Sequence, residues 1–140
     1  MIKITLYLSD KLRTAAQNGR QFIKYCLVGA TGTGLDFLLL YLFVEYGRIN
    51  YLLAAIISTI VAMVINFTLN KFWTFRKKDG NYFSQLLKYA AAHSIGALIN
   101  LVVLTLLVEV FGVWYLMARV VGTVFAVSWN FLATKKWVFK

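Results

Sequence analysis

Four long apolar runs, at about residues 25–45, 52–70, 88–108 and 116–134, constrain this chain more than any other feature. A bilayer core of roughly 30 Å takes about 20 apolar residues at a helical rise of 1.5 Å each. In hydrocarbon every backbone amide must find its partner within its own segment, so runs of this length fold as helices. They occupy most of the 140 residues and leave little chain for a soluble domain. Hydrophobic residues make up 61% of the sequence, against ~45–50% in soluble domains. The runs are apolar nearly all round, without the polar stripe a soluble bundle helix carries. The expected fold is therefore an all-α membrane protein with four transmembrane helices, in which any water-filled groove lies between helices.

A second regularity organises the first. The stretch Asn66-Phe67-Thr68-Leu69-Asn70-Lys71-Phe72-Trp73-Thr74-Phe75-Arg76 returns 64 residues later as Asn130-Phe131-Leu132-Ala133-Thr134-Lys135-Lys136-Trp137-Val138-Phe139-Lys140. At the same offset Lys24-Tyr25 meets Lys88-Tyr89, Gly32 meets Gly96, Glu45 meets Glu109, Tyr51-Leu52 meets Tyr115-Leu116, and Asp36 meets Asn100. The pattern predicts an internal duplication of a two-helix unit. Repeat one covers about 22–76 and repeat two about 86–140 of a membrane domain 22–140, with residues 1–21 as a separate N-terminal segment. Each repeat holds an even number of spans, so both enter from the same side and a pseudo-two-fold axis along the membrane normal relates them. That axis sets Asp36 opposite Asn100 and Asn66 opposite Asn130.

Charge gives the orientation. Lys3, Lys11, Arg13, Arg20 and Lys24 precede the first span; Lys71, Arg76, Lys77, Lys78 and Lys88 lie between the second and third; Lys135, Lys136 and Lys140 follow the fourth. Thirteen of the fifteen cations thus fall on one side, leaving Arg48 and Arg119 near the other with Glu45 and Glu109. The positive-inside rule makes both termini and the central loop cytoplasmic. The net charge of +10 is then topology, and no nucleic-acid partner is expected. Residues 1–21 read either as an amphipathic segment on the inner leaflet or as a basic tail, and not as a secretory signal. The one cysteine, Cys26, permits no internal disulfide and reads as a small apolar helix residue.

Polar residues inside the spans are the candidate site. Gly29, Gly32, Thr33 and Asp36 share one face of the first helix, and His93, Gly96, Ala97 and Asn100 repeat it in the third. The glycines suit close helix packing. Asp36 lies about eleven residues into its span, roughly 16 Å deep. A carboxylate at that depth is either functional or tied to an Asn or Thr of a neighbouring helix. His93 is a pocket residue or a packed one; with no second histidine and one cysteine, neither a metal nor any cofactor is expected. Ala55, Thr59, Ala62, Asn66 and Asn70 form a small polar stripe on the second helix, and Arg119, Thr123, Ala126, Asn130 and Thr134 form the same stripe on the fourth. These stripes should face one another or a shared cavity, since a buried amide needs a partner. Asn66 and Asn130 stand within two turns of Lys71 and Lys135, an amide beside a cation, as a phosphate headgroup requires.

Two readings of the helix ends stay open and are compatible. Trp73, Phe75, Trp137 and Phe139 form an interfacial aromatic belt with snorkelling lysines, or the ends hold a headgroup. The alternation of aromatic residues there predicts an extended or re-entrant segment after each helix. Arg119 replaces Ala55 of the first repeat, and it pairs with Glu45 or Glu109 or holds an anion on the outer side.

The pattern Phe22-Ile23-Lys24-Tyr25-Cys26-Leu27-Val28-Gly29 with Gly32 and Thr33, followed by Asn66-Phe67 through Asn70-Lys71-Phe72-Trp73-Thr74-Phe75, resembles the GtrA-like family of small four-span membrane proteins. The resemblance covers about residues 22–140, and neither His93 nor Arg119 is carried over by it. It implies movement of a polyprenyl-phosphate-linked sugar across a bacterial cytoplasmic membrane, for membrane glycosyltransferases that modify surface polysaccharide or teichoic acid. Similar units are fused to polyprenyl-phosphate mannose synthases, where they anchor or present lipid.

Physical reading and resemblance together predict a non-enzymatic flippase. Its substrate-binding residues are Asp36, Asn66, Asn70, Lys71, His93, Asn100, Arg119, Asn130 and Lys135, and no residue is catalytic. No nucleotide-binding loop is present, so ATP does not drive it directly. Four helices barely enclose a glycolipid path, which suggests a homo-oligomer. The alternatives are a scaffold or anchor that recruits a glycosyltransferase, and a small cation-exporting transporter, against which the strong charge bias argues.

Overall fold

The computed structural model describes residues 1–140, except the side chain of residue 116. All its regular structure is helical, with no strand among the described residues. Helix α1 runs Ile2–Glu45, α2 Tyr51–Leu69, α3 Tyr82–Thr105 and α4 Tyr115–Ala133. All four are long and apolar enough to cross a membrane. With no proline in the sequence, nothing interrupts them. The chain divides into two compact units, Met1–Arg76 and Lys77–Lys140.

In the first unit α1 and α2 pack as an antiparallel pair joined by a tight turn. Asn50 caps α2, its Oδ1 accepting the Leu52 amide at 2.9 Å. The 44 residues of α1 make a helix about 66 Å long, roughly twice the hydrocarbon thickness. Its N-terminal half therefore extends beyond any bilayer that its second half spans. The pair closes over small residues: Gly32 on α1, and Ala54, Ser58 and Ala62 on α2, are all buried. A Cβ on Gly32 would overlap the Asn66 carboxamide, so glycine is what lets that amide lie against the α1 backbone. The other glycine of the expected face, Gly29, has open space around it and is exposed.

The second unit builds the same arrangement from α3 and α4. Asn81 Oδ1 accepts the Ser84 amide at 3.1 Å at the start of α3. Gly96, Ala118, Gly122 and Ala126 are buried, and a Cβ on Gly96 would overlap the Asn130 carboxamide. Each of these positions is 64 residues from its counterpart in the first unit.

The helix ends correct the sequence reading. In place of an extended segment, α2 passes into a π-helical turn, Asn70–Thr74, and α4 into another, Thr134–Val138. The Phe75 amide donates to Asn70 O at 2.9 Å and the Phe139 amide to Thr134 O at 3.0 Å, five residues back. Widening the turn keeps the backbone bonded within its own segment, which an extended strand in hydrocarbon could not do. It also separates the aromatics. Trp73 and Trp137 stay exposed, as a membrane belt requires, whereas Phe75 and Phe139 are buried and belong to the core. Phe75 meets the Tyr25 ring edge-on, with centroids 6.3 Å apart.

Candidate functional site

Along the π-turn of the first unit and the turn of α2 before it, the chain carries Asn66, Asn70, Lys71 and Thr74. Asn70, Lys71 and Thr74 are each at most 3% exposed. The Thr74 hydroxyl donates to Asn70 Oδ1 at 2.9 Å, a contact the i, i+4 spacing allows. Lys71 does not snorkel: it is enclosed by its own unit, with Nζ 5.8 Å from the Phe72 ring centroid. Asn66 Oδ1 is buried against Gly32 with no hydrogen-bond partner.

The second unit repeats the cluster with altered chemistry. Asn130 Oδ1 is buried against Gly96, again without a partner. Thr134 takes the place of Asn70 and Val138 that of Thr74, so the hydroxyl–carboxamide bond is gone and Thr134 Oγ1 is also left unpartnered. Lys135 is half-buried, its Nζ 5.9 Å from the Phe131 ring centroid. A buried polar group without a partner costs about 1–3 kcal/mol. Three of them in the two clusters, two at equivalent places, are therefore expensive for packing alone.

The other site residues lie within the spans. Thr59 donates to both carboxylate oxygens of Asp36, at 3.3 and 3.4 Å, which ties α1 to α2. Asn100, the counterpart of Asp36, lies instead against Gly122, and its Oδ1 is buried without a partner. His93 sits inside the α3 helix: its Nδ1 is 3.0 Å from Tyr89 O, and its ring packs on Tyr89 with centroids 4.0 Å apart. Beside it the Trp129 indole donates to Ala92 O at 3.1 Å, linking α4 to α3. Arg119 is exposed and shares a groove of about 270 Å³ with Glu109, Thr105 and Tyr115 of its own unit. Within the first unit the structure thus gathers Asn66, Asn70 and Lys71 and leaves Asp36 apart; within the second it gathers Asn130 and Lys135. No group of three or more His, Cys, Asp or Glu suited to a metal occurs among the described residues.

These placements fall within a known kind of domain. Residues 24–139 match the family described as GtrA/DPMS, transmembrane domain. The chain belongs to that family. The GtrA/DPMS match takes in both polar clusters and every site residue named above. Over 105 residues the chain is 35% identical to a dolichol-phosphate mannosyltransferase of Pyrococcus furiosus, a region that is 74% of this chain and 29% of that enzyme. This GtrA/DPMS chain thus spans about three tenths of the relative's length.

Two features escaped the sequence reading. Gly122 is the seat of Asn100, and its only signal was alignment with the small residue Ser58 at the offset of 64. The π-turns left none, since alternating aromatics read equally well as a strand.

Proposed function

We propose that this protein moves a polyprenyl-phosphate-linked sugar across the cytoplasmic membrane, as a non-enzymatic flippase built from a duplicated helix pair with both termini in the cytoplasm. The observation that carries the reading is the pair of buried, unpartnered carboxamides, Asn66 and Asn130, each within two turns of an enclosed or half-buried lysine. Such a nest offers a phosphate both hydrogen bonds and charge. Family membership and the dolichol-phosphate relative support a lipid-phosphate substrate. In this reading Asn66, Asn70, Lys71, Asn130 and Lys135 hold the headgroup, Asp36, His93 and Asn100 meet the sugar, and Arg119 receives the anion on the far side. The gradient set by synthesis on one face and consumption on the other drives the movement, and membrane glycosyltransferases consume the product.

The test uses purified protein in liposomes with a polyprenyl-phosphate sugar, following its exposure to a membrane-impermeant oxidant on the opposite face. Acceleration over empty liposomes, abolished by Asn66→Leu and by Arg119→Ala, is the expected result. A second reading has its own support: the matching region is 29% of a longer mannosyltransferase, a minor share of that enzyme. An anchor that presents lipid to a glycosyltransferase would bind the same headgroup without accelerating its exchange, and that outcome would replace the flippase.

A further inference from the structure

The first unit carries a groove that lies outside the nine residues discussed above. It has a volume of about 250 Å³, below the ~300–1,000 Å³ of pockets that take drug-sized ligands. One wall comes from α1: Gln17, Arg20, Gln21 and Lys24 line it, at spacings that put all four on one helical face. The opposite wall is the end of the π-turn and the two residues after it, Thr74 to Arg76. Three cations therefore converge on a small space, and no acidic side chain lines it. Lys24 Nζ is 5.2 Å from the Trp73 ring centroid, which holds the ammonium at the groove edge. Arg76 has φ 51°, a left-handed conformation unfavourable to a side chain. Gln21 Oε1 is buried and has no hydrogen-bond partner.

The second unit makes no such use of these positions. Its counterparts of Gln17, Arg20 and Gln21 are Asn81, Ser84 and Gln85. There Asn81 caps the start of α3, and Gln85 is buried, its Nε2 donating to Asp79 O at 3.3 Å. Of the α1 wall only Gln17 lies beyond the point where α3 begins, and Arg20 meets the uncharged Ser84, so the second unit has no cation at that place. Three like charges around one small space repel each other at a cost that an anion between them removes.

We propose that this groove binds the phosphate of a lipid-linked headgroup, with Arg20, Lys24 and Arg76 as its charged donors and Gln17 and Gln21 toward hydroxyl-bearing substituents. The unmet Gln21 carboxamide suits a headgroup that brings hydroxyl donors, as a sugar does. At the boundary between the buried and protruding halves of α1, the groove receives a phosphate at the height of the membrane surface while its hydrocarbon chain stays in the bilayer. The source of the phosphate rests on the lipid-phosphate reading above; the site itself rests on the groove.

The experiment is titration calorimetry on the full chain in an uncharged detergent, with farnesyl phosphate, farnesol, inorganic phosphate and phosphatidylglycerol as probes. Farnesyl phosphate should bind and farnesol should not. The double variant Arg20→Gln/Lys24→Gln should weaken binding about tenfold or more, and Arg76→Gln, in a different segment, should weaken it in the same direction. Lys3→Gln/Lys11→Gln removes equal charge from exposed positions outside the groove and should change nothing. Equal losses in that control pair, or unchanged binding in both groove variants, would overturn the site. Phosphatidylglycerol or inorganic phosphate binding as tightly as farnesyl phosphate, and lost in the same variants, upholds the phosphate site while assigning it to bulk lipid or free anion. That result withdraws support from the headgroup reading, whereas a groove that binds farnesyl phosphate in a protein that flips nothing leaves the site standing and removes only the flippase.

Discussion

In the first unit Leu40, Tyr41, Val44, Glu45, Tyr51 and Ala55, with Phe37, line a largely apolar groove of about 400 Å³. In the second, Leu104, Thr105, Val108, Glu109, Tyr115 and Arg119 line one of about 270 Å³. Six positions correspond one to one at the offset of 64. The grooves differ in that Arg119 stands where the first has Ala55 and Thr105 where it has Tyr41, so the second groove sets a cation beside the acid. At the close helix contacts small residues are kept: Ala54 and Ala118, Ala62 and Ala126, and Gly32 and Gly96 are the same, and Ser58 meets the smaller Gly122. Between helices at close approach one added methyl group has nowhere to go, while an exposed groove wall tolerates a guanidinium. Both units therefore close over small residues, and they differ in chemistry at the exposed groove wall and at the buried helix ends, where Thr134 and Val138 stand for Asn70 and Thr74.

The sharpest way to break that comparison is to enlarge the shared glycines. Gly32→Val and Gly96→Val each drive a side chain into a carboxamide, Asn66 or Asn130, and should destabilise the protein by about 3 kcal/mol, the upper range for overpacking. Gly29→Ala, on the same helix with nothing near its Cβ position, should instead be neutral or gain up to about 1 kcal/mol from helix propensity. Denaturant unfolding in detergent, followed by tryptophan fluorescence, measures all three. A large loss for Gly32→Val with none for Gly96→Val would mean that the second unit closes by different contacts.

How far the sequence carries one toward this arrangement depends on which solvent enforces which feature. The four spans were legible because bilayer thickness imposes their length and lipid forbids an unpaired backbone. The polar stripe through Asn66 and Asn70 was legible as a face, since 3.6-residue periodicity maps spacing to direction. What each amide meets within its unit was not: the stripe suggested another polar surface or a cavity, and the structure supplies the bare backbone of Gly32 or Gly96. Periodicity reports where a side chain points, and only packing decides what receives it. Phe75 and Phe139 show the same limit. One extra residue in a helical turn moves both into the core, and an aromatic residue is equally at home at an interface and in an interior.

A smaller effect, of opposite sign in the two units, follows from the helix ends. Asn70→Leu removes the acceptor of the Thr74 hydroxyl and leaves that buried group unpaired, so it should cost about 1–3 kcal/mol. Thr134→Val removes a buried hydroxyl that has no partner and keeps the side-chain shape, so it should raise stability by about 1 kcal/mol. If Thr134→Val also abolishes lipid exchange in liposomes, the unpaired hydroxyl is retained for binding at a cost in stability. If both substitutions destabilise alike, the difference drawn between the two clusters fails.

The smallest expected effect lies in the connecting turns, where the units place different residues on the same backbone. Arg48 has φ 51° and its counterpart Gly112 has φ 63°, both left-handed. Glycine adopts that region without steric cost, while an arginine there gives up about 1 kcal/mol. Gly112→Arg should therefore destabilise by about 1 kcal/mol. Arg48→Gly should gain somewhat less than that, because glycine also loses more freedom on folding. Unfolding midpoints of the two reciprocal variants test the pair. A loss in Arg48→Gly would mean that the Arg48 side chain stabilises its turn by more than the strain it imposes. The two turns would then share a backbone without sharing the reason for it, as the two grooves share an acid without sharing a cation.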